Sequence, residues 1–122
     1  MTTAPSSLPP EAHWRQALRD GRFLLQRDRT TGVAIFPPRF DFSGENIDWV
    51  EASGRGVVYA VTQIAQRPPA ADYNVVLVGL EEGPRLMATV EGVAADAVEI
   101  GMAVRAHITI EGEEARLVFH PC

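Results

Sequence analysis

The feature that constrains the fold most is a series of strand-like segments filling the C-terminal part of the chain. From residue 104 to residue 111, apolar residues alternate with polar ones, as in a strand that is buried on one side only. Earlier segments are rich in β-branched and aromatic residues, and turns containing Gly or Pro separate them. The predicted strands are residues 57–64, 74–80, 85–91, 104–111 and 115–119, with one helical turn at residues 94–100.

Five short strands with a helical turn between the third and the fourth predict a mainly β domain. The order matches the OB-fold, a five-stranded and partly open barrel. Five short strands can also close in another way, as in an SH3-like barrel, and the pattern alone leaves that alternative open. We predict a five-stranded OB-fold barrel over residues 47–122.

The N-terminal part predicts one helix. Residues 1–10 are mostly small, polar or proline, and we expect them to form a disordered tail. Prolines 9 and 10 suit a helix start, and Gly21 suits its end. Within this helix Trp14 and Leu18 are four residues apart and therefore share a face.

A small hairpin is predicted after the helix. Residues 23–27 and 33–36 are short extended segments, and the turn between them ends at Gly32. Two short strands are too little to fold alone. We therefore expect a helix-and-hairpin region at residues 11–46, followed by the barrel.

Length and composition exclude several classes of protein. A chain of 122 residues buries a modest core without help from metal or disulfides. The single cysteine, Cys122, cannot close an intrachain disulfide. No apolar run approaches the roughly 20 residues that a membrane helix needs, and the N-terminus lacks the basic and apolar regions of a signal peptide. We expect a cytoplasmic protein without a membrane partner.

The charge distribution argues against nucleic-acid binding. All 11 basic residues are Arg, and the 16 acidic residues give a net charge of −5. Up to Val61 the chain carries 7 Arg and 7 acidic residues, whereas the rest carries 4 Arg and 9 acidic residues. The barrel would therefore repel backbone phosphates, and it has few aromatic residues for stacking bases.

An ordered set of motifs resembles a bacterial and archaeal family in which a zinc ribbon precedes an OB-fold. This family was long a domain of unknown function and is found beside thiolase-like enzymes. The resemblance runs from Trp14 to Met102. Its pieces are the helix with "DGRFLLQR" at 20–27, "FPPR" at 36–39, "WVEASGRG" at 49–56, Thr62, "GPRLM" at 83–87 and "IGM" at 100–102.

The resemblance also implies a ribbon that has lost its zinc ligands. Members carry two cysteine pairs at a spacing that suits tetrahedral zinc. Matched residue by residue, the first pair corresponds to Asp28 and Thr31, and the second pair to Phe40 and Ser43. None of the four is Cys or His. We therefore expect the ribbon's chain path with no metal and no other cofactor.

Something else must then hold the ribbon segment in place. Phe36, Phe40 and Phe42 are candidates, because each fully buried Phe contributes roughly 1.5 to 3 kcal/mol of hydrophobic stabilisation. We expect aromatic packing to replace the metal.

The resemblance implies a non-catalytic accessory subunit of a thiolase-like or ketoacyl-synthase-like enzyme that acts on acyl-CoA. The residues agree, because no credible catalytic set is present. His13, His107 and His120 are scattered along the chain, and we expect solvated side chains. An acidic cluster is read as a soluble loop face; its members are Asp41, Glu45, Asp48 and Glu51.

Candidate binding residues follow from the matched motifs. We expect the partner surface to contain Trp14, Arg39, Phe40 and Phe42. Arg55 and Arg85 are candidates for the phosphates of CoA, because guanidinium groups suit phosphate. A structural role of Arg55, held between two glycines and paired with Glu51, is the favoured alternative. Stand-alone binding of acyl-CoA or of single-stranded nucleic acid is the alternative function, and a homodimer is left open.

Overall fold

The computed structural model describes residues 9–41 and 46–122, which form one α-helix, eight strands and a 3-10 turn. No helix in these ranges combines the length and the apolar character needed to cross a bilayer. The elements are α1 (Pro10–Arg19), β1 (Leu24–Asp28), β2 (Ala34–Ile35), β3 (Ile47–Glu51), β4 (Arg55–Ile64), β5 (Tyr73–Leu80), β6 (Arg85–Ala88), the 3-10 turn (Ala95–Ala97), β7 (Ala103–Glu111) and β8 (Glu114–Pro121).

The last five strands form the predicted barrel. Their order in the sheet is β6-β5-β4-β7-β8, and all neighbours are antiparallel. The sheet curls until Val90, just beyond β6, forms a parallel bridge with Phe119 of β8. The 3-10 turn lies between the third and the fourth barrel strand. This topology is that of the OB-fold, and the predicted fold class is confirmed.

The first three strands form a separate antiparallel sheet in the order β2-β1-β3. Here β3 pairs with the whole of β1, from Leu24 opposite Glu51 to Asp28 opposite Ile47. The sequence places residues 47–51 in the barrel, whereas in the structure they complete the small sheet. The sequence pattern assigned no strand to these residues, and the pairing of β3 with β1 depends on contacts distant in sequence.

Both sheets and the helix share one hydrophobic core. Trp14, Ala17 and Leu18 form the buried face of α1. These side chains belong to the same cluster as Leu25 of β1 and Phe119 of β8, which are fully buried. The small sheet is therefore fixed to the barrel through apolar contacts.

The glycines on either side of Arg55 are required by close packing. Gly54 has a φ of 83°, and Gly56 lies where β4 starts against β5. A Cβ on Gly56 would lie 2.5 Å from Cγ1 of Val78 and 2.9 Å from the carbonyl oxygen of Gly79. The "SGRG" motif thus positions the start of β4.

Candidate functional site

The first ribbon turn is closed by local hydrogen bonds. Oδ1 of Asp28 accepts the backbone N–H groups of Thr30 at 2.8 Å and Thr31 at 2.9 Å. These two bonds hold the pKa of the Asp28 carboxyl below its usual value, and the bond from Thr31 has the larger effect. Oγ1 of Thr31 accepts the N–H of Val33. Both side chains that occupy the first cysteine positions therefore serve the turn itself.

The second ribbon segment is held by Gln26, which the sequence analysis missed. Its side chain is 3% exposed, and its Nε2 donates to the carbonyl of Arg39 at 2.8 Å. In return, the N–H of Arg39 donates to Oε1 of Gln26 at 2.7 Å. The signal was available, because Gln26 is the one amide in the apolar run "FLLQ". A buried polar side chain needs hydrogen-bond partners.

These residues do not fit zinc. The sequence has neither Cys nor His between His13 and His107, so the ribbon contains no thiolate or imidazole ligand. Asp28 uses its carboxylate within the turn, and Phe40 has no donor atom. Within residues 9–41 and 46–122, no group of three or more His, Cys, Asp and Glu side chains could hold a metal ion. Ser43 lies outside the described residues.

Aromatic packing contributes less to the ribbon than expected. Phe36 packs with its ring 5.5 Å from the ring of Trp14. Phe40, in contrast, is 60% exposed. Phe42 lies outside the described residues. The expectation that buried Phe side chains replace the metal is therefore wrong for Phe40. The pair of hydrogen bonds between Gln26 and the backbone of Arg39, which we call the Gln26 clamp, helps to hold this segment instead.

Trp14 belongs to the core rather than to a docking surface. It is 8% exposed, and its Nε1 donates to the carbonyl of Leu24 at 2.8 Å. Its ring also packs edge-on against Phe23. A side chain enclosed in this way cannot contact a partner without unfolding α1, so we remove it from the candidate surface. Arg39 and Phe40 are adjacent and exposed, and they remain candidates.

Arg55 and Arg85 lie on the outward face of the barrel sheet. The expected pair between Arg55 and Glu51 is wrong: Nε of Arg55 lies 3.2 Å from Oε2 of Glu81. Glu51 accepts instead from Nε of Arg22 at 2.9 Å. The hydroxyl of Ser53 and then the guanidinium of Arg55 hold the pKa of the Glu81 carboxyl below its usual value.

The guanidinium of Arg85 stacks on an aromatic ring. Its Cζ lies 3.8 Å from the centre of the Tyr59 ring, a cation–π contact. Next along β6, on the same face, Met87 is 71% exposed. Met87 borders an apolar hollow of about 180 Å³, whose lining includes Thr62, Val75 and Leu77. This outward face therefore combines two cations with exposed apolar side chains.

The histidines are not scattered as the sequence suggested. The rings of His107 and His120 stack with their centres 4.4 Å apart. The ring of His13 lies 4.6 Å from that of Trp49. The register of β7 and β8 brings the first pair together, which a single strand pattern cannot predict.

The described members of the acidic cluster serve structural roles. Asp48 accepts from Nε of Arg29 at 3.2 Å, and this bond lowers the pKa of Asp48. Oδ2 of Asp41 accepts the N–H groups of Asn46 and Ile47, both at 3.0 Å. Glu45 lies outside the described residues. The sequence predicted a solvated loop face, whereas Asp41 and Asp48 each bond a neighbouring segment.

A cleft separates the end of α1 from β7. Its volume is about 650 Å³, within the range of about 300 to 1,000 Å³ that is usual for binding sites. Phe23 lines one side of the cleft, and Ile108 and Ile110 line the other. The paired Arg22 and Glu51 lie at its margin. Sequence analysis missed this cleft, because it forms only when α1, β3 and β7 meet.

Comparison with known proteins finds two family models that match successive parts of the chain. Residues 15–42 match the family described as the ChsH2 rubredoxin-like zinc ribbon domain. Residues 49–109 match the ChsH2 C-terminal OB-fold domain. A curated relative, the "Probable enoyl-CoA hydratase alpha subunit" of Thermomonospora curvata, is 36% identical over 105 residues. That match covers 76% of this chain and 31% of the relative, so the chain spans about a third of its length.

Two solved structures have the same architecture. A chain of the "Ltp2-ChsH2(DUF35) aldolase" is 32% identical, with a TM-score of 0.78 and 98% of both chains covered. A DUF35 protein of unknown function from Sulfolobus solfataricus has a TM-score of 0.61 at 16% identity, covering 91% of this chain and 84% of that one; it supports the fold alone. The chain belongs to the ChsH2 (DUF35) family, in which a rubredoxin-like zinc ribbon precedes a C-terminal OB-fold.

Proposed function

We propose that this chain is a non-catalytic accessory subunit of a thiolase-like enzyme that acts on acyl-CoA. The observation that carries this proposal is the match to a chain of the Ltp2-ChsH2(DUF35) aldolase, which extends over 98% of both chains. The Thermomonospora relative, described as an enoyl-CoA hydratase subunit, supports the same class of substrate.

The chemistry of the described residues favours the role of an accessory subunit over that of a catalytic one. A catalytic centre needs a nucleophile, a base and a group that orients the base, all around one reacting atom. The carboxylates of Asp28, Asp48 and Glu81 are instead bound to backbone N–H, hydroxyl or guanidinium groups, which hold each pKa below its usual value. A depressed carboxyl pKa disfavours general acid-base catalysis near neutral pH. In our proposal the partner supplies the catalytic groups.

Arg39 and Phe40 form the proposed partner contact. The backbone of Arg39 is fixed by the buried Gln26, so its exposed neighbour Phe40 is presented from a defined segment. Exposed aromatic and Arg side chains on a fixed backbone are typical of residues that dominate binding energy. Phe42 stays in the proposed contact on sequence grounds alone.

Co-expression with a thiolase-like protein from the same source organism tests the partnership. We expect a complex that co-purifies, and we expect Phe40→Ser to raise its Kd by about tenfold or more. Ile100→Ser is the matched control, because Ile100 is 69% exposed but lies on the barrel. If the wild-type chain captures no thiolase-like protein, the proposal fails.

The outward face of the barrel is the proposed contact with CoA. Arg55 and Arg85 share this face, and guanidinium groups suit phosphates. Within the complex, Arg85→Ala should raise the KM for acyl-CoA several-fold, whereas Arg116→Ala, on the β7–β8 hairpin, should leave it unchanged. Titration calorimetry separates this function from stand-alone binding: heat with CoA and the isolated chain would favour the alternative.

A further inference from the structure

One edge of β7 is open for part of its length. On one side β7 pairs with β8 from Val104 to Glu111. On the other side it pairs with β4 only from Ala103 to Arg105, and the N–H of Ala106 donates to the carbonyl of Gly54 at 2.7 Å. The residues before Gly54 do not continue along β7. The N–H of Ala52 donates instead to the carbonyl of Phe23.

The open edge presents backbone groups of Ile108 and Ile110. In an antiparallel strand, successive residues direct their N–H and C=O groups to opposite sides. Since Ala106 bonds toward β4, Ile108 and Ile110 direct theirs to the same side, away from β8. Among the residues that the structure describes, none forms a hydrogen bond with these groups. Within residues 9–41 and 46–122, these two donors and two acceptors therefore have no partner.

The 650 Å³ cleft lies beside this edge. Ile108 and Ile110 line it together with Phe23, and Ile110 is 55% exposed. The charged side chains around the cleft balance in sign, with Arg19 and Arg22 against Asp20 and Glu51. The lining therefore combines apolar side chains with unpaired backbone groups and carries no strong net charge, which disfavours a highly charged ligand.

We propose that this cleft receives an extended segment of the partner protein, which pairs with β7 opposite Ile108 and Ile110. A strand backbone alternates donors and acceptors at the spacing of an open strand edge, and this mode of recognition is common. The open stretch, residues 107–111, is about 17 Å long at about 3.4 Å per residue, so it matches four or five residues of the partner. Their alternate side chains would be apolar and face Phe23. This proposal rests on the proposed function, because it specifies how the partner binds.

Removal of one backbone donor tests the pairing. Ile110→Pro deletes the N–H that faces the cleft but leaves the neighbouring bonds to β8, because Ile110 does not direct its N–H toward that strand. Ile110→Ala is the matched control, since it keeps the N–H and loses the side chain. With the co-purified thiolase-like partner, we expect Kd to rise at least tenfold more for Ile110→Pro than for Ile110→Ala. Equal Kd values for the two folded variants would overturn the proposal.

Amide hydrogen exchange gives a second readout that does not depend on the proline variant folding. In the free wild-type chain we expect fast exchange at Ile108 and Ile110 and slow exchange at His107 and Thr109, whose N–H groups face β8. Binding of the partner should slow exchange at Ile108 and Ile110 by about a hundredfold. Unchanged exchange at both positions in a saturated complex would contradict strand pairing.

Failure of the proposed function would be recognised separately. If the wild-type chain binds no thiolase-like protein, the partnership is wrong, and a displayed library of random 12-residue peptides then tests the cleft directly. Peptides that bind the wild-type chain at least tenfold tighter than Ile110→Pro would support an edge-pairing site for another partner. A library that yields no such peptide would overturn the site as well.

Discussion

Gln26 and Asn74 are the buried polar side chains among the described residues, at 3% and 1% exposure. Each bonds the backbone of a segment that is distant in sequence: Gln26 bonds Arg39, and Asn74 bonds Val90. An amide can donate and accept at once, so one side chain satisfies both the N–H and the C=O of a single residue that lies outside regular structure. In the ribbon this arrangement fixes the backbone of Arg39, directly before Phe40.

The first prediction concerns Gln26. Replacement by Leu keeps the side-chain size but leaves the N–H and carbonyl of Arg39 without their partner, so we expect the free energy of unfolding to fall by about 1 to 3 kcal/mol. Urea denaturation measures the change. Gln66→Leu, at an exposed position, is the control and should change stability by less than about 0.5 kcal/mol. Equal effects at the two positions would contradict the clamp.

The second prediction concerns the pH dependence that Asp28 contributes. The pKa of Asp28 is lower in the folded chain than in the unfolded chain, so its ionised form stabilises the fold above the unfolded pKa. This contribution is lost as the pH falls through the folded pKa. We therefore expect wild type to be more stable than Asp28→Asn at pH 7, and the difference to shrink as the pH falls from about 5 to about 2.

Denaturation at several pH values measures this difference. Asp96→Asn serves as the control, because it removes the same charge from an exposed site. A stability gap for Asp28→Asn that stayed constant from neutral to acid pH would show that the carboxylate charge does not support the turn.

At the scale of elements, closure of the barrel depends on a short irregular segment after β6. Val90 forms a parallel bridge with Phe119, and bonds from Glu91 and Phe119 flank it at 2.8 and 2.9 Å. The side chain of Asn74, on β5, binds both backbone groups of Val90. The N–H of Val90 donates to Oδ1 of Asn74 at 2.9 Å, and Nδ2 of Asn74 donates to the carbonyl of Val90 at 3.1 Å. The side chain of Asn74 thus connects the second barrel strand to the bridge between Val90 and Phe119 that closes the barrel.

The third prediction tests this connection. Asn74→Ala leaves both backbone groups of Val90 buried without a partner and also creates a cavity, so we expect a loss of about 2 to 4 kcal/mol in unfolding free energy. Amide exchange of Phe119 and Glu91, whose N–H groups form the seam, should accelerate more than that of Val78 in the sheet centre. Thr62→Ala, on the exposed face of β4, is the control; uniform acceleration at all three amides would indicate global destabilisation instead.

The sequence predicted these elements well because strand patterns are local. The alternation in β7 identifies its buried and exposed faces from eight residues alone. Pairing and clefts are not local, and the partner of β3, the stacking of His107 on His120 and the cleft beside Ile110 all depend on register between distant segments. The predicted partner-surface residues differ in exposure, which a local pattern does not specify. Arg39 and Phe40 lie on an exposed segment, whereas Trp14 is enclosed by residues that the helix pattern did not identify.

At the scale of the whole molecule, the described strands of the ribbon sheet share the core of the barrel. Leu24 and Leu25 of β1 join the same apolar cluster as Leu18 of α1 and Val104 of β7. A small zinc ribbon that is isolated in solution needs its metal to fold. Here the shared core stabilises the described ribbon strands, in a sequence that lacks the cysteine ligands.

The last prediction follows from this shared core: stability should not depend on zinc. A chain that bound one zinc ion only in the folded state would gain about 2.7 kcal/mol when free zinc is 100 times Kd. For a domain of this size such a gain raises Tm by roughly 5 °C or more. We expect that neither a chelator nor 100 μM Zn²⁺ shifts Tm by more than about 1 °C. A larger rise with zinc, together with about one zinc per chain by elemental analysis, would mean that a metal site exists in spite of the missing cysteines.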